Sequence, residues 1–87
     1  MTDSYQEWQK EYQAEREFNI RAFAGQREQI RRDYAGQYVG FGFGRVITAD
    51  PDINKVAEVL NALDPQPQSA AIFRADEEPI FEIIESY

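Results

Sequence analysis

The stretch YVGFGFGRVITA, residues Tyr38–Ala49, alternates large apolar side chains with glycine and then continues with β-branched residues. Alternation with a period of two is typical of a half-buried strand, and glycines between two such runs are typical of a hairpin turn. The sequence therefore predicts a strand near 38–41, a turn around 42–44 and a second strand near 45–49.

A long amphipathic helix is predicted before this hairpin, from Ser4 to about Ala35. Ser4 and Glu7 have the spacing of a capping box, and Gly36 suits the position just after a helix end. On a helical wheel, one apolar face runs along the whole helix. Its members are Tyr5, Tyr12, Phe23, Ile30 and Tyr34.

A second helix and two further strands are predicted after the hairpin. Asp50 is predicted as the N-cap, Pro51 as the first helical residue and Asp52 as an acid of the first turn. Apolar residues at helical spacing then continue from Ile53 to Leu63. Ser69–Ala75 and Ile80–Glu85 predict strands three and four. The order αββαββ indicates an α+β fold, with a small, mostly antiparallel four-stranded sheet and both helices packed on one face.

The chain divides into a long helix, residues 1–35, and a small ββαββ domain, residues 36–87. A domain of this size is about 20–25 Å across, whereas the helix is about 45 Å long, so the distal half of the helix is expected to project. A projecting aromatic face needs cover. The predicted interaction surface comprises Tyr5, Trp8, Tyr12, Arg16, Phe18, Asn19 and Phe23.

Charge along the first helix favours a second copy as the partner. Residues 1–20 contain five acids and two bases, whereas residues 21–35 contain two acids and four bases. This gradient suits the helix dipole, and it also suits antiparallel pairing of two copies. The sequence thus predicts a non-enzymatic protein–protein interaction or self-association module that homodimerises through this helix. Whether the helix packs in cis or in trans stays open.

The GFGF run at Gly40–Phe43 supports an alternative, a small domain that binds single-stranded nucleic acid. The run occurs within the aromatic signature of RNA-recognition strands, and the alternative site comprises Phe41, Phe43 and Arg45. However, the flanking residues depart from that signature. Residues 36–87 also carry nine acids and three bases, which repel phosphate. Nucleic acid is therefore not the expected partner.

Composition excludes several chemistries. The 87 residues contain no cysteine and no histidine, so the thiol nucleophile, the commonest general base and most transition-metal ligands are missing. A carboxylate-based enzyme or regulatory subunit is a second alternative, but Glu82 and Glu85 would face opposite sides of a strand. We predict no catalytic residue, no metal site and no cofactor.

The sequence predicts neither a signal peptide nor a membrane span. The first residues, MTDSYQEWQKEY, are charged rather than basic and then apolar, and no run of about 18 apolar residues occurs. A cytoplasmic location without membrane association is expected. The net charge of −7 fits an acidic, soluble domain.

Residues 37–75 resemble a family of short, uncharacterised prokaryotic domains of unknown function. The resemblance consists of an aromatic-Val-Gly opening at Tyr38, a Gly-basic-Val-Ile second strand at 44–47, a helix rich in leucine and valine at Val56–Leu63, and a further strand at Ile72–Phe73. It implies the ββαβ order and no particular activity.

Overall fold

The computed structural model describes residues 3–80 of the chain, with side chains for residues 10–80. Its elements are α1 (Asp3–Asp33), β1 (Tyr38–Gly42), β2 (Arg45–Asp50), α2 (Ile53–Asn61) and β3 (Ala70–Arg74). The α+β fold with a long first helix is therefore confirmed.

The three strands form an antiparallel sheet in the order β2-β1-β3, so the glycine-rich strand β1 lies in the centre. Phe43 and Gly44 both have positive φ, 53° and 73°, which is the backbone of a two-residue hairpin turn whose twist matches that of the flanking strands. The ladder between β1 and β2 shifts register at Ile47. Because of this bulge, Val46 and Ala49 both face the same side of the sheet.

The alternation of Phe and Gly in β1 gives the sheet two different faces. Val39 and Phe41 are fully buried on the face that meets Phe23 and Ile30 of α1. Gly40 lies on the opposite face, where a Cβ atom would come within 3.1–3.2 Å of the side chains of Val56 and Leu60 in α2. The sheet is thus enclosed between the two helices.

The prediction that both helices pack on one face is wrong. Neighbouring strands are about 4.8 Å apart and packed helices about 8–10 Å apart, so a sheet of three strands has room for about one helix on each face. The side chains decide which helix takes which face. Val39 and Phe41 of β1 pack against α1, whereas the glycines of β1 allow α2 to approach the backbone closely.

The four-stranded sheet is not confirmed. The structure describes three strands, and of the predicted fourth strand at Ile80–Glu85 only Ile80 lies within the described residues, where it has no regular structure. The helix start at 50–52 also differs from the prediction. Asp52, rather than Asp50, is the N-cap of α2 and accepts a hydrogen bond from the Asn54 N–H at 2.9 Å.

Candidate functional site

Most of the aromatic face of α1 is covered by the chain's own sheet. The ring of Phe23 meets the rings of Phe41 and Phe73 edge to face, with centroids 6.0 and 5.4 Å apart. Ile30 is also buried, two turns further along the helix. Aromatic pairs in this geometry stabilise a core beyond the area that they bury. This part of the helix therefore belongs to the core of the folded chain.

A polar group, here called the Asn19 cluster, holds α1 to two loops. The fully buried amide of Asn19 accepts a hydrogen bond from the Gly44 N–H at 2.7 Å and donates one to the Ser69 carbonyl at 2.9 Å. Gln26 donates to the Gly44 carbonyl at 3.0 Å, and Glu15 accepts from the Ser69 N–H at 2.6 Å. These bonds satisfy the backbone groups of the hairpin turn and of the loop before β3.

The structure divides the predicted interaction surface into three groups. Tyr12, Asn19 and Phe23 are buried within the chain, at 4%, 0% and 4% exposure. Arg16 and Phe18 are exposed, Phe18 at 57%. The side chains of Tyr5 and Trp8 lie outside the described residues. The buried group is not accessible to a partner while the domain is folded.

The projection of the distal half of α1 stays a prediction. Contacts between α1 and the loop before β3 limit how much of the helix can project. Tyr12 is buried, Glu15 bonds Ser69, and Glu11 accepts a hydrogen bond from Gln68 at 3.3 Å. The helix continues for eight residues before Glu11, from Asp3, which is about 12 Å. Projection is therefore limited to these first eight residues.

Two of the three residues of the alternative nucleic-acid site are accessible in the folded chain. Phe41 is completely buried in the core, so its ring cannot stack on a base in the folded domain. Phe43, in the hairpin turn, is 37% exposed, and Arg45 is exposed. One accessible ring and one arginine remain.

A groove, here called the β3 groove, runs between α2 and β3. Its volume is about 460 Å³, and its walls include Ala57 and Leu60 of α2, Pro67 of the connecting loop, and Ile72 of β3. Ile80 also lines the groove and is itself 76% exposed. Most of the lining residues are apolar, and Glu77 and Glu78 are among the polar ones.

The outer edge of β3 forms one wall of the β3 groove. The Ala75 N–H donates to the Gln37 carbonyl at 3.0 Å, which fixes which backbone groups face β1. In an antiparallel ladder these groups alternate, so Ala71 and Phe73 direct their N–H and C=O groups towards β1. Ala70, Ile72 and Arg74 direct theirs outwards. The groove therefore combines apolar side chains with outward-facing backbone donors and acceptors.

The segment after β3 is held to α1 by an ion-pair group. Arg27 and Arg31 reach the two carboxylate oxygens of Glu78 at 3.0 and 3.5 Å. The Glu77 N–H donates to the Arg74 carbonyl at 2.8 Å, so the chain reverses direction directly after β3. The chain thus turns after β3, contacts α1 through Glu78, and then reaches Ile80, which lines the β3 groove.

Sequence reasoning did not identify the groove residues or the Asn19 cluster. One available signal was that β3 has apolar residues on both faces, with Ala71 and Phe73 on one and Ile72 on the other. Another was that Glu15 and Gln26 border the apolar stripe of α1 at helical spacing from Asn19. Neither pattern predicts which part of the chain these side chains would contact.

Comparison with known protein families, with curated proteins and with solved structures finds no match to this chain in any of the three. The resemblance noted for residues 37–75 therefore stays a prediction. Within residues 3–80, no helix is both long and apolar enough to cross a membrane. In the same part of the chain, no group of three or more acidic side chains is placed to hold a metal ion.

Proposed function

We propose that this chain is a non-enzymatic protein–protein interaction module that self-associates through the first turns of α1. The observation that carries the proposal is the length of α1 relative to the parts of the chain that contact it. The helix spans about 46 Å, whereas strands of five or six residues span about 17–20 Å. Within the part of the chain whose side chains are described, residues 10–80, loop residues Gln68 and Ser69 extend this cover to Glu11.

The aromatic face continues beyond this cover. Tyr5 and Trp8 precede Tyr12 by seven and four residues, which is the spacing of neighbours on one side of a helix. Tyr12 marks that side as the buried one. We propose that this side of the helix, continued in the sequence to Trp8 and Tyr5, is the surface that a second helix covers.

A second copy is the proposed partner because of the charge along α1. The first half of the helix is acidic and the second half is basic, so antiparallel copies place opposite charges side by side. Glu11 and Glu15 contact the chain's own loop, and Arg27 and Arg31 contact Glu78. The charges expected to pair between two copies are therefore mainly the remaining acids of the first half, Asp3, Glu7 and Glu17, and the remaining bases of the second half, Arg21 and Arg32.

Light scattering on the full chain tests this proposal. At high micromolar concentration we expect a mass of twice 10.1 kDa, and a return towards 10.1 kDa when Tyr5→Ser and Trp8→Ser are combined. Ile53→Ser is the matched control, because Ile53 is a 44% exposed apolar residue on α2. A mass of 10.1 kDa for the unaltered chain at high concentration would contradict self-association.

Two finer statements from the sequence also stay proposals. One is the four-stranded sheet, with Ile80–Glu85 as its fourth strand. The other is the cytoplasmic location. We propose neither an enzymatic function nor nucleic-acid binding, because no contact among the described residues favours them.

A further inference from the structure

The two edges of the sheet differ in how they are protected against pairing with another strand. The ladder between β1 and β2 has its bulge at Ile47, and Pro51 follows β2 directly. Bulges and prolines both discourage strand addition. By contrast, β3 pairs with β1 in continuous register, contains no proline, and holds the guanidinium of its one charged residue, Arg74, over the Tyr38 ring of β1. The outer edge of β3 is therefore the edge suited to accept a strand.

The β3 groove offers both kinds of contact that an added strand uses. Ile72, which lines the groove and is 37% exposed, directs its N–H and C=O outwards. Ala57 and Leu60 of α2 line the groove as well. In strand addition, backbone hydrogen bonds supply affinity, and pockets for alternate side chains supply specificity. Within residues 3–80, no strand pairs with this edge.

The segments before and after β3 are held in place by side-chain bonds. The Gln66 amide donates to the Asn61 and Leu63 carbonyls at 2.8 and 2.7 Å, which ties the loop before β3 to the end of α2. After β3, Glu78 is bound by two arginines of α1. Because these parts of the groove are already ordered, binding of a segment costs less conformational entropy.

Charge indicates the chemistry of the partner. Among the described residues that line the groove, the charged ones are Glu77 and Glu78, which both follow β3, whereas those that precede β3 are uncharged. Glu78 is paired with α1, but the exposed Glu77 forms no ion pair within residues 10–80. A basic side chain is therefore the complement of the end of the groove that follows β3.

We propose that the β3 groove binds an extended segment of another protein, which adds to β3 as an antiparallel strand and carries a basic residue near its amino end. Antiparallel pairing continues the pattern of the sheet and is slightly more stable per residue than parallel pairing. In this direction the amino end of the segment lies beside Glu77, and alternate apolar side chains contact Ala57 and Leu60. This binding is separate from self-association through α1.

Two other occupants have the wrong charge for this site. Antiparallel pairing with β3 of a second copy would bring the run DPQPQS of that copy, with one acid and no base, beside Glu77. A fourth strand of the chain itself at this edge, Ile80–Glu85, would present two acids and no base. Neither supplies a cation for Glu77, so charge favours a separate partner.

A peptide titration on the full chain tests the proposal. The probe is a short fluorescent peptide in which isoleucine and threonine alternate, with two lysines at its amino end, and the control peptide has the two lysines at its carboxyl end. Fluorescence anisotropy should show saturable binding of the probe and at least about fivefold weaker binding of the control, because only the probe places lysine beside Glu77. Equal affinity for the two peptides would overturn the proposal.

Backbone methylation separates strand addition from non-specific binding. Directly opposed residues of an antiparallel pair lie on the same face, so the isoleucines of the probe, on the α2 side with Ile72, direct their N–H groups to β3. N-methylation of the isoleucines should weaken binding at least about tenfold, and N-methylation of the threonines should change it less than about twofold. Similar effects of the two methylations would exclude pairing with this edge.

Substitutions in the protein locate the site. Ile72→Lys should weaken probe binding at least about tenfold. Val59→Lys is its matched control, because Val59 is an exposed apolar residue of α2 that does not line the groove. Glu77→Lys should weaken binding severalfold, whereas Asp76→Lys, at an exposed acid outside the lining, should have little effect. If either control matched its partner variant, the site would lie elsewhere.

Amide hydrogen exchange tests whether the edge is available. The Ile72 N–H should exchange at least about tenfold more slowly with saturating probe, whereas the Phe73 N–H, which belongs to the β1 ladder, should be protected in both states. No saturable binding, or full protection of Ile72 before the probe is added, would overturn the proposal. The Tyr5→Ser and Trp8→Ser variant should bind the probe as tightly as the unaltered chain, so failure of self-association and failure of this proposal are distinguishable.

Discussion

On the side of the sheet that faces α1, the rings of Phe23 and Phe41 pack edge to face, and Asn19 adds buried hydrogen bonds. On the opposite side, α2 packs over Gly40 with the side chains of Val56 and Leu60, and a groove of about 460 Å³ remains beside it. The same strands thus support a filled interface on one face and a partly open one on the other.

This difference follows from the alternation within β1. A strand places successive side chains on opposite faces, so β1 directs Val39 and Phe41 to one face and Gly40 and Gly42 to the other. Phenylalanine contributes apolar area, whereas glycine allows a helix to approach the backbone. Stability is therefore expected to depend more on residues of the α1 side, and space for an additional segment to lie on the α2 side.

The largest expected effect is that of Phe41→Ala on the α1 side. Phe41 is fully buried, so its truncation should lower the free energy of unfolding by about 3–5 kcal/mol, as for other buried phenylalanines. Urea denaturation measures the loss. Phe43→Ala is the matched control and should cost less than about 1 kcal/mol, because Phe43 is 37% exposed. Similar losses for the two variants would contradict the assignment of Phe41 alone to the core.

Asn19→Ala should have the next largest effect. It leaves the Gly44 N–H and the Ser69 carbonyl without their hydrogen-bond partner, and each such group costs about 1–3 kcal/mol when buried. We expect a loss of about 2–4 kcal/mol in denaturant unfolding. Gln26→Ala removes one part-buried bond and should cost about 0.5–1.5 kcal/mol. A smaller loss for Asn19→Ala than for Gln26→Ala would refute the central role of Asn19.

Gly40→Val tests the close approach on the α2 side. A Cβ atom at this position lies 3.1–3.2 Å from Val56 and Leu60, and the added methyl groups of valine crowd them further. Overpacking of this kind costs about 1–3 kcal/mol. Gly25→Ala is the control, and it is expected to stabilise the chain where Gly40→Val destabilises it. It adds a methyl group in open space within α1 and should stabilise the chain by about 0.5–1 kcal/mol. Stabilisation by Gly40→Val would disprove the close packing of α2.

Glu78→Gln should have the smallest effect on stability. Arg27, Arg31 and Glu78 are between 42% and 58% exposed, so solvent weakens their interaction. Removal of the charge should cost about 0.2–1 kcal/mol at low salt and less at about 1 M salt. Thermal unfolding at both salt concentrations measures this difference. Glu77→Gln is the control, and a salt-independent loss for Glu78→Gln would argue against an ion pair.

Several elements were predictable from residue patterns. The glycine hairpin, the first helix and the second helix were expected close to their observed bounds, because turn chemistry and helical periodicity are local properties. The N-cap of α2 at Asp52 and the bulge at Ile47 were not, since a competing aspartate and a run of β-branched residues leave both positions ambiguous.

The candidate site was less predictable than the fold. Tyr12, Asn19 and Phe23 were expected on an interaction surface, but all three are buried in the folded chain, Asn19 against the loop at Ser69. A helical wheel identifies the apolar side of a helix without identifying what covers it. The β3 groove depends on β3 and α2, which are neighbours in the sequence, and on Ile80, which a turn returns to the same edge.

By itself, the sequence determined the α+β class, the long helix, the hairpin, and the absence of thiol and imidazole chemistry. These follow from composition and from periodicities of two and 3.6 residues, which short stretches of chain carry. Only the tertiary structure decided that the helices lie on opposite faces, that Asn19 is a buried link between loops, and that the outer edge of β3 forms a groove with α2. Such features require residues up to fifty positions apart to meet, and no local pattern specifies that meeting.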